Sequence, residues 1–198
     1  MRYLELSIKD TEEVSKQLAQ KISQDFRPDV VVFIAKGSYI IGDVISKYFN
    51  VPLIEIHATR EGNTFKNLVS PILKLIPKGV KIYLRKRELQ LGVHSKNSDR
   101  RVYLEKGKDK LEGAENVLVV DDSVDTGNTA KQVCEFIRNN FWNKTIKFAS
   151  LNYFEESKKV YRVDYSLYKN YILIGPWSKD SKYYNEFIMR YQQWKENY

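Results

Sequence analysis

Short apolar runs alternate along this chain with stretches in which apolar residues recur at every third or fourth position. The apolar runs have the length of strands, and they cover residues 30–35, 53–56, 117–120, 146–151 and 171–174. Helical spacing is found at residues 14–22, 40–48, 130–137 and 184–194. Uninterrupted apolar strands are typical of a parallel sheet that is covered on both faces. The pattern therefore predicts an α/β fold with a central parallel sheet flanked by helices.

The predicted helices differ in the residues that mark their ends and faces. Asp10 and Glu13 form a capping pair for the first helix, and Pro28 stops it. The last helix carries large apolar residues on one face: Tyr184, Phe187, Ile188, Tyr191 and Trp194. Such a face needs to be buried, which favours packing on the core or in a dimer over a platform for an aromatic ligand. Between residues 59 and 116, only residues 80–84 have a clear strand pattern.

Composition limits the class of protein without identifying it. A chain of 198 residues is long enough for a sizeable core and is interpreted as one domain. No apolar stretch approaches the roughly 18 residues of a membrane span, and the N-terminus lacks a secretory apolar region, so we expect a cytoplasmic protein without membrane contact. The single cysteine, Cys134, excludes an intrachain disulfide, and its place on the apolar side of a helix favours a structural thiol.

The most informative segment covers residues 117–129, where an apolar strand ends in two acids and leads into a helix. Asp121 and Asp122 follow the strand at the edge where open α/β sheets bind ligands. Adjacent carboxylates suit a diol, through charge-assisted hydrogen bonds, and also a hard cation with oxygen ligands. Gly127 allows close backbone approach, and the free N–H groups at the helix start suit an anion. The alternative is an ordinary turn in which Asp125 or Thr126 caps the helix.

This segment resembles the PRPP-binding motif of type I phosphoribosyltransferases, which has four apolar residues, two acids, and Asp-Thr-Gly followed one position later by Thr. The resemblance implies that Asp121 and Asp122 hold the ribose 2′- and 3′-hydroxyls of PRPP and help to place Mg²⁺. It implies that Asp125 lies beside the reacting heterocycle and is a catalytic residue for proton transfer. It also implies a loop that binds the 5′-phosphate, formed by Asp125, Thr126, Gly127, Asn128 and Thr129.

A second candidate element is the turn after the first predicted strand, where Lys36 and Gly37 combine a cation with a flexible backbone. It resembles the short pyrophosphate-binding loop of the same enzymes, so Lys36 and Gly37 are predicted to bind PRPP. In relatives this turn can contain a cis peptide. A solvated turn is the alternative for the pair taken alone.

Positive charge is concentrated between residues 81 and 110, where ten Lys or Arg and four acids give +6 of the chain's net +8. By resemblance, a flexible basic segment at about residues 85–112 corresponds to a lid that closes over the reaction centre and excludes water. A solvated face is nearly as well supported, and RNA binding is the least favoured of the three. His57 and His94 have no metal-ligand spacing to another His or Cys, which argues against a zinc site.

Residues 171–177 resemble the C-terminal hood strand of xanthine, guanine and hypoxanthine phosphoribosyltransferases, which often ends in Pro-Trp. Trp177 is therefore the candidate for stacking on the acceptor base, and simple packing of the hood is the alternative. In 6-oxopurine enzymes the strand after the PRPP helix usually ends with a Lys. No Lys stands at that place here, although Lys158 and Lys159 follow a few residues later.

The sequence thus predicts one phosphoribosyltransferase-like domain over residues 1–198, with a core at about 28–155 and a small hood at about 156–180 in a chain whose termini contribute to the hood. The leading hypothesis is a Mg²⁺-dependent enzyme that transfers the 5-phosphoribosyl group from PRPP to a nitrogenous acceptor, a purine-like base, and releases pyrophosphate. Two alternatives are a PRPP-sensing regulator with a basic RNA- or protein-binding surface, and transfer to a non-nucleobase acceptor. The family also implies a homodimer, whereas nucleic acid is not the expected partner.

Overall fold

The computed structural model describes residues 2–60 and 100–198. Eight strands are found in this part of the chain: β1 Arg2–Glu5, β2 Val30–Ile34, β3 Leu53–Arg60, β4 Arg100–Leu104, β5 Asn116–Val124, β6 Thr145–Tyr153, β7 Tyr165–Lys169 and β8 Tyr171–Ile174. The α-helices of the same part are α1 Ile8–Ile22, α2 Tyr39–Phe49, α3 Lys108–Gly113, α4 Asn128–Asn140 and α5 Tyr184–Asn197, and a 3₁₀ helix covers Glu155–Lys159. The predicted strand at residues 80–84, His94 and the first part of the basic segment lie outside the described residues.

The central sheet has six strands in the order β4-β3-β2-β5-β6-β7, and all neighbours are parallel except β3 and β4. This arrangement confirms the predicted α/β class with its largely parallel sheet. A second sheet pairs β1 with β8 in parallel, so the first and last strands of the described residues lie side by side, and β8 falls within the segment predicted as the hood. The described end of the basic segment is not a loop throughout, because it forms β4 and α3.

Both faces of the central sheet are buried, as the apolar strands predict. On β5, Leu118 and Val120 belong to a core cluster with residues of α1, α2 and α5. Val117 and Val119 point to the opposite face and pack with Val133 and other residues of α4. The aromatic face of α5 is therefore used in the core of this chain, where Phe187 is fully buried.

Helix α1 begins earlier than the sequence predicts. Ser7 is the N-cap residue, and its Oγ accepts a hydrogen bond from the Asp10 N–H at 3.1 Å. Asp10 completes the capping box by accepting from the Ser7 N–H at 2.9 Å, so the predicted pair of Asp10 and Glu13 was wrong by one turn. The Ser–x–x–Asp spacing gives the same reciprocal bonding as the commoner Ser–x–x–Glu.

Candidate functional site

The two acidic residues lie at the carboxyl end of β5, between β2 and β6 in the middle of the sheet. The strand continues to Val124, four residues beyond its predicted end, so Asp121 and Asp122 belong to the strand and do not follow it. The extension is stabilised by β6, because Asp121 pairs with Ser150 and Val124 with Tyr153 in the parallel register. Both residues are still partly exposed at the predicted edge of the sheet.

The Asp121 carboxyl group is surrounded by protein even though the residue as a whole is partly exposed. Desolvation, followed by the negative charge of Asp122, raises the pKa of Asp121 well above its usual value. The Asp122 N–H, which donates to Asp121 Oδ1 at 2.9 Å, opposes the shift. A divalent cation that prefers oxygen ligands would relieve the repulsion between the two carboxylates. Asp121 and Asp122 therefore have the chemistry of a Mg²⁺ site.

The predicted phosphate loop turns at Gly127, which has φ +83° and is the N-cap residue of α4. A Cβ at this position would lie 2.8 Å from the Ser157 carbonyl oxygen and 3.0 Å from the Tyr161 nitrogen, so only glycine fits. The first intrahelical bond is donated by the Lys131 N–H to the Gly127 carbonyl at 2.9 Å. The N–H groups before Lys131 therefore have no intrahelical partner at the N-terminus of α4. Gly127 has no side chain that could cap the helix, so the nearest capping group is the hydroxyl of the preceding Thr126.

Thr126 and Asn128 form the rest of this turn through their side chains. Thr126 Oγ1 accepts a hydrogen bond from Asn128 Nδ2 at 3.3 Å, and the Asn128 N–H approaches the same oxygen at 3.5 Å. Thr129 stands in the first turn of α4 and, like Thr126 and Asn128, is partly exposed. The loop therefore presents hydroxyl and amide groups at the same edge of the sheet as the two acids.

The turn with Lys36 and Gly37 lies directly against the acidic residues. Its Ala35–Lys36 peptide is cis, and Ser38 Oγ donates to the Ile34 carbonyl at 2.6 Å. A Cβ on Gly37 would lie 3.4 Å from Asp122 Cγ. The structure thus brings together the two loops that the sequence predicts to bind the same ligand. The Lys36 Nζ lies 5.9 Å from the ring centroid of Tyr191 on α5, a cation–π distance.

Trp177 follows β8 and lies beside the turn that contains Gly37. Its Cδ1 would be 3.3 Å from a Cβ on Gly37, and its six-membered ring lies so close to Gly175 that a Cβ there would be 2.2–2.4 Å from three ring atoms. The indole borders a pocket of about 250 Å³ that is also lined by Asp122 and Asp125. Trp177 also packs against the core, so stacking and packing roles are both compatible with its position.

The predicted lack of a lysine after β6 agrees with the lining of this pocket. Among its described lining residues, none is Lys or Arg, and Phe154 stands where β6 ends. Lys158 Nζ pairs with Glu155 at 2.8 Å and lies 5.1 Å from the Tyr153 ring centroid, while Lys159 pairs with Glu156. Neither lysine borders the pocket.

Several residues of the site were missed in the sequence analysis, namely Ser123, Asn152, Phe154, Tyr171 and Asp180. Asn152 is fully buried inside β6, where its Nδ2 donates to Ser123 Oγ at 3.0 Å. Asn152 directly follows the apolar run at residues 146–151, so the sequence pattern contained no sign that this amide would be buried.

His57 has partners that the spacing of His and Cys residues did not reveal. Its Nε2 lies 3.4 Å from Glu55 Oε2 and 3.5 Å from Glu105 Oε1, and these three donors are close enough for one metal ion. Lys195 Nζ already stands between the carboxylates, at 3.1 Å from Glu55 and 3.2 Å from Glu105. The Lys195 ammonium group thus supplies, between Glu55 and Glu105, the positive charge that a metal ion would otherwise bring.

Residues 6–172 of the chain match the family model of the phosphoribosyl transferase domain. The purine phosphoribosyltransferase from Pyrococcus horikoshii has 20% identity and a TM-score of 0.63, with 91% of this chain and 97% of that chain covered. The xanthine-guanine-hypoxanthine phosphoribosyltransferase from Helicobacter pylori has 17% identity and a TM-score of 0.62, with 92% and 99% covered.

A hypothetical protein from Neisseria gonorrhoeae with bound ppGpp has 17% identity and a TM-score of 0.57, with 96% of each chain covered. At these identities the structural matches show the fold. A search of curated protein sequences gave no significant match. Among the described residues, no helix is long and apolar enough to cross a membrane.

Proposed function

Because the chain belongs to the phosphoribosyltransferase family, we propose that it transfers the 5-phosphoribosyl group from PRPP to a purine-like base and releases pyrophosphate. The observation that carries this proposal is the close approach of Asp122 and Trp177 to Gly37, where an added Cβ would lie 3.4 Å from Asp122 Cγ and 3.3 Å from Trp177 Cδ1. It joins the candidate pyrophosphate loop, the acidic strand end and the hood at one pocket, as a reaction between a phosphorylated sugar and a flat acceptor requires.

The donor half of the reaction is assigned to three elements. Asp121 and Asp122 bind the ribose hydroxyls, the turn that begins at Asp125 and contains Thr126, Gly127, Asn128 and Thr129 binds the 5′-phosphate, and Lys36 with Gly37 binds pyrophosphate. Asp121 and Asp122 would also hold Mg²⁺, which would supply positive charge to the diphosphate. The transition state resembles an oxocarbenium ion, so the protein acts mainly by positioning and electrostatics.

The acceptor half is assigned to Asp125 and Trp177. Asp125 borders the pocket and accepts a hydrogen bond from Ser123 Oγ at 3.2 Å, so its carboxylate is oriented to take the proton that the acceptor nitrogen loses. Trp177 stacks on the acceptor ring. The purine phosphoribosyltransferases among the similar structures support a purine-like acceptor. The described pocket without Lys or Arg favours acceptors that do not need a cation at their carbonyl group.

A second candidate is a regulator that binds PRPP or a related nucleotide without turnover. The similar fold of the Neisseria protein with bound ppGpp is the observation that favours it. For either function, the family supports a homodimer as the assembly that should be tested first.

The test is pyrophosphate release from PRPP and Mg²⁺ with a panel of acceptors. The panel contains hypoxanthine, guanine, xanthine and adenine, together with amine and phenol acceptors for the non-nucleobase alternative. Turnover with a base supports the proposal. PRPP binding in calorimetry without pyrophosphate release from any acceptor would support the regulator, and size-exclusion chromatography with light scattering tests the dimer.

A further inference from the structure

The buried amide of Asn152 connects the hood to the acidic strand. Its Nδ2 donates to the Tyr171 carbonyl at 3.0 Å and to Ser123 Oγ at 3.0 Å, and its Oδ1 accepts from the Tyr171 N–H at 3.0 Å. The side chain therefore bonds both backbone groups of one residue of β8, as a neighbouring strand would. Since Asn152 is fully buried, these bonds form away from solvent, where each unmade bond would be costly.

The directions of these hydrogen bonds are fixed by their chemistry. A backbone N–H can only donate and a carbonyl can only accept, so the two bonds to Tyr171 set which end of the Asn152 amide is oxygen. The amide nitrogen cannot accept, and the Ser123 hydroxyl must accept from it. The Ser123 hydrogen is then available to Asp125 Oδ1, which lies 3.2 Å from Ser123 Oγ. The chain of donors runs from Asn152 through Ser123 to the Asp125 carboxylate.

Both ends of this hydrogen-bond chain line the same pocket, since Asp125 and Tyr171, the first residue of β8, are among its lining residues. Ser123 and Asn152 are also direct partners in the register of β5 and β6. We infer that Asn152 is a positioning residue that fixes the hood strand and the Asp125 carboxylate relative to each other, and so sets the geometry of the acceptor. This inference rests on the proposed function.

The sharpest variant is Asn152→Asp, which keeps the shape of the side chain and removes both N–H donors. Its carboxylate cannot bond the Tyr171 carbonyl, and it competes with Asp125 for the Ser123 hydrogen. We expect kcat/KM for the acceptor to fall by about 10- to 100-fold, the range found when groups that orient a site are lost. The Kd for PRPP should stay within about 3-fold, because the amide bonds Ser123 and Tyr171 and not the residues assigned to the ribose hydroxyls or to pyrophosphate.

Ser123→Ala tests the Asp125 end of the hydrogen-bond chain separately from the Tyr171 end. It also provides a test if Asn152→Asp does not fold. It removes the hydrogen bond to Asp125 and leaves both bonds of Asn152 to Tyr171 in place, so kcat should fall with little change in acceptor KM. The matched control is Ser150→Ala, another fully buried β6 position, whose Oγ donates to the Asn152 carbonyl at 2.9 Å and not to the amide. It should leave acceptor KM and kcat within about 3-fold of wild type.

The possible outcomes separate this inference from the proposed function. Equal losses of PRPP and acceptor binding in Asn152→Asp, or an acceptor-selective loss of the same size in Ser150→Ala, would overturn the positioning role while the wild type remains an enzyme. If Asn152→Asp is unfolded by circular dichroism, unchanged kcat in Ser123→Ala overturns it. Failure of the wild type to release pyrophosphate with any acceptor overturns the proposed function and this inference with it.

Discussion

Lys195 in the last helix forms an ion pair with Glu55 in the central sheet, with 3.1 Å between Nζ and Oε2. Glu55 is only 4% exposed, and Tyr191 donates a hydrogen bond to its other carboxylate oxygen. Lys195 also pairs with Glu105 next to β4, at 3.2 Å. One ammonium group thus links α5 to the edge of the sheet. It also pairs with a buried carboxylate whose burial without a partner would be strongly destabilising.

Removal of this ammonium in Lys195→Met should lower the free energy of unfolding by about 1–3 kcal/mol, less than for a fully buried pair because Lys195 is partly exposed. Urea unfolding measures the effect. Lys47→Met is the matched control, since Lys47 forms an exposed pair with Asp43 at 2.7 Å. The control should lose less than about 0.5 kcal/mol. Equal losses in the two variants would contradict the structural role of Lys195.

Gly127→Ala should damage both stability and PRPP binding. The new Cβ would stand in a left-handed conformation and within 3.0 Å of backbone atoms of Ser157 and Tyr161, at an expected cost of about 2–4 kcal/mol. The matched control is Gly113→Ala in α3, where a Cβ meets nothing within 4 Å and should stabilise the helix by up to about 0.5 kcal/mol. Thermal unfolding and PRPP calorimetry check both variants, and a stable Gly127→Ala with normal PRPP affinity would refute the argument.

The fold could be predicted where single elements carry their own signal. The buried strands β2, β5 and β6 have apolar runs, and α2 and α4 have clear helical spacing. By contrast, β4 has the sequence RRVYL and β7 has YSLYK, which resemble loops because each is an edge strand with few buried positions. Their place in the sheet depends on partners that are distant in sequence, and local patterns do not contain that information.

The candidate site follows the same rule. Asp121, Asp122 and Gly127 stand in one continuous motif, so the sequence was enough to select them. The link between Ser123 and Asn152 depends on the register of two parallel strands, and a shift by one residue would separate the side chains. The motif could therefore supply the residues proposed for the donor half of the site, whereas the residues that connect it to β8 required the structure.

Cys134 should be unreactive in the folded protein. Burial raises the pKa of its thiol to about 11, although the Tyr161 hydroxyl, which donates to Sγ at 3.1 Å, opposes the shift. At pH 8 the thiolate fraction is then about 0.1%, roughly 100-fold below that of a cysteine with the ordinary value of 9.0. Labelling with 5,5′-dithiobis(2-nitrobenzoate) should be slow in buffer and fast in urea. Equal rates in both would show that the thiol is accessible in the folded state.

The protein should lose stability above pH 10 because burial raises the pKa of several tyrosines. Desolvation raises the pKa of Tyr39 and of Tyr198 to about 12, and Tyr191 is raised further with a contribution from Glu55. The unfolded chain releases these protons from about pH 10 upward while the folded chain keeps them, so the free energy of unfolding falls by up to about 1.4 kcal/mol per pH unit for each group.

Urea unfolding at pH 9, 10 and 11 measures this slope. Tyr39→Phe should reduce the decline, because one group that titrates only in the unfolded state has been removed. Identical pH profiles for the wild type and Tyr39→Phe would contradict the assigned cause.

Asp125→Asn provides the most direct test of the proton-transfer role. The amide oxygen can still accept the Ser123 hydrogen bond, so the geometry is kept while the ability to take a proton is lost. Because general acid or base catalysis contributes about 10²- to 10⁴-fold, kcat should fall by that factor. The Kd for PRPP should change by less than about 3-fold, since the diol is assigned to Asp121 and Asp122.

The control for the loss of one carboxylate is Asp43→Asn. Asp43 pairs with Lys47 and does not line the pocket. Pyrophosphate formation measured in single turnovers after rapid acid quenching, which counts bound and free product together, isolates the chemical step from product release. A variant with full single-turnover activity would assign the proton to another group, and one that no longer binds PRPP would show that the Asp125 carboxylate is needed to bind the donor.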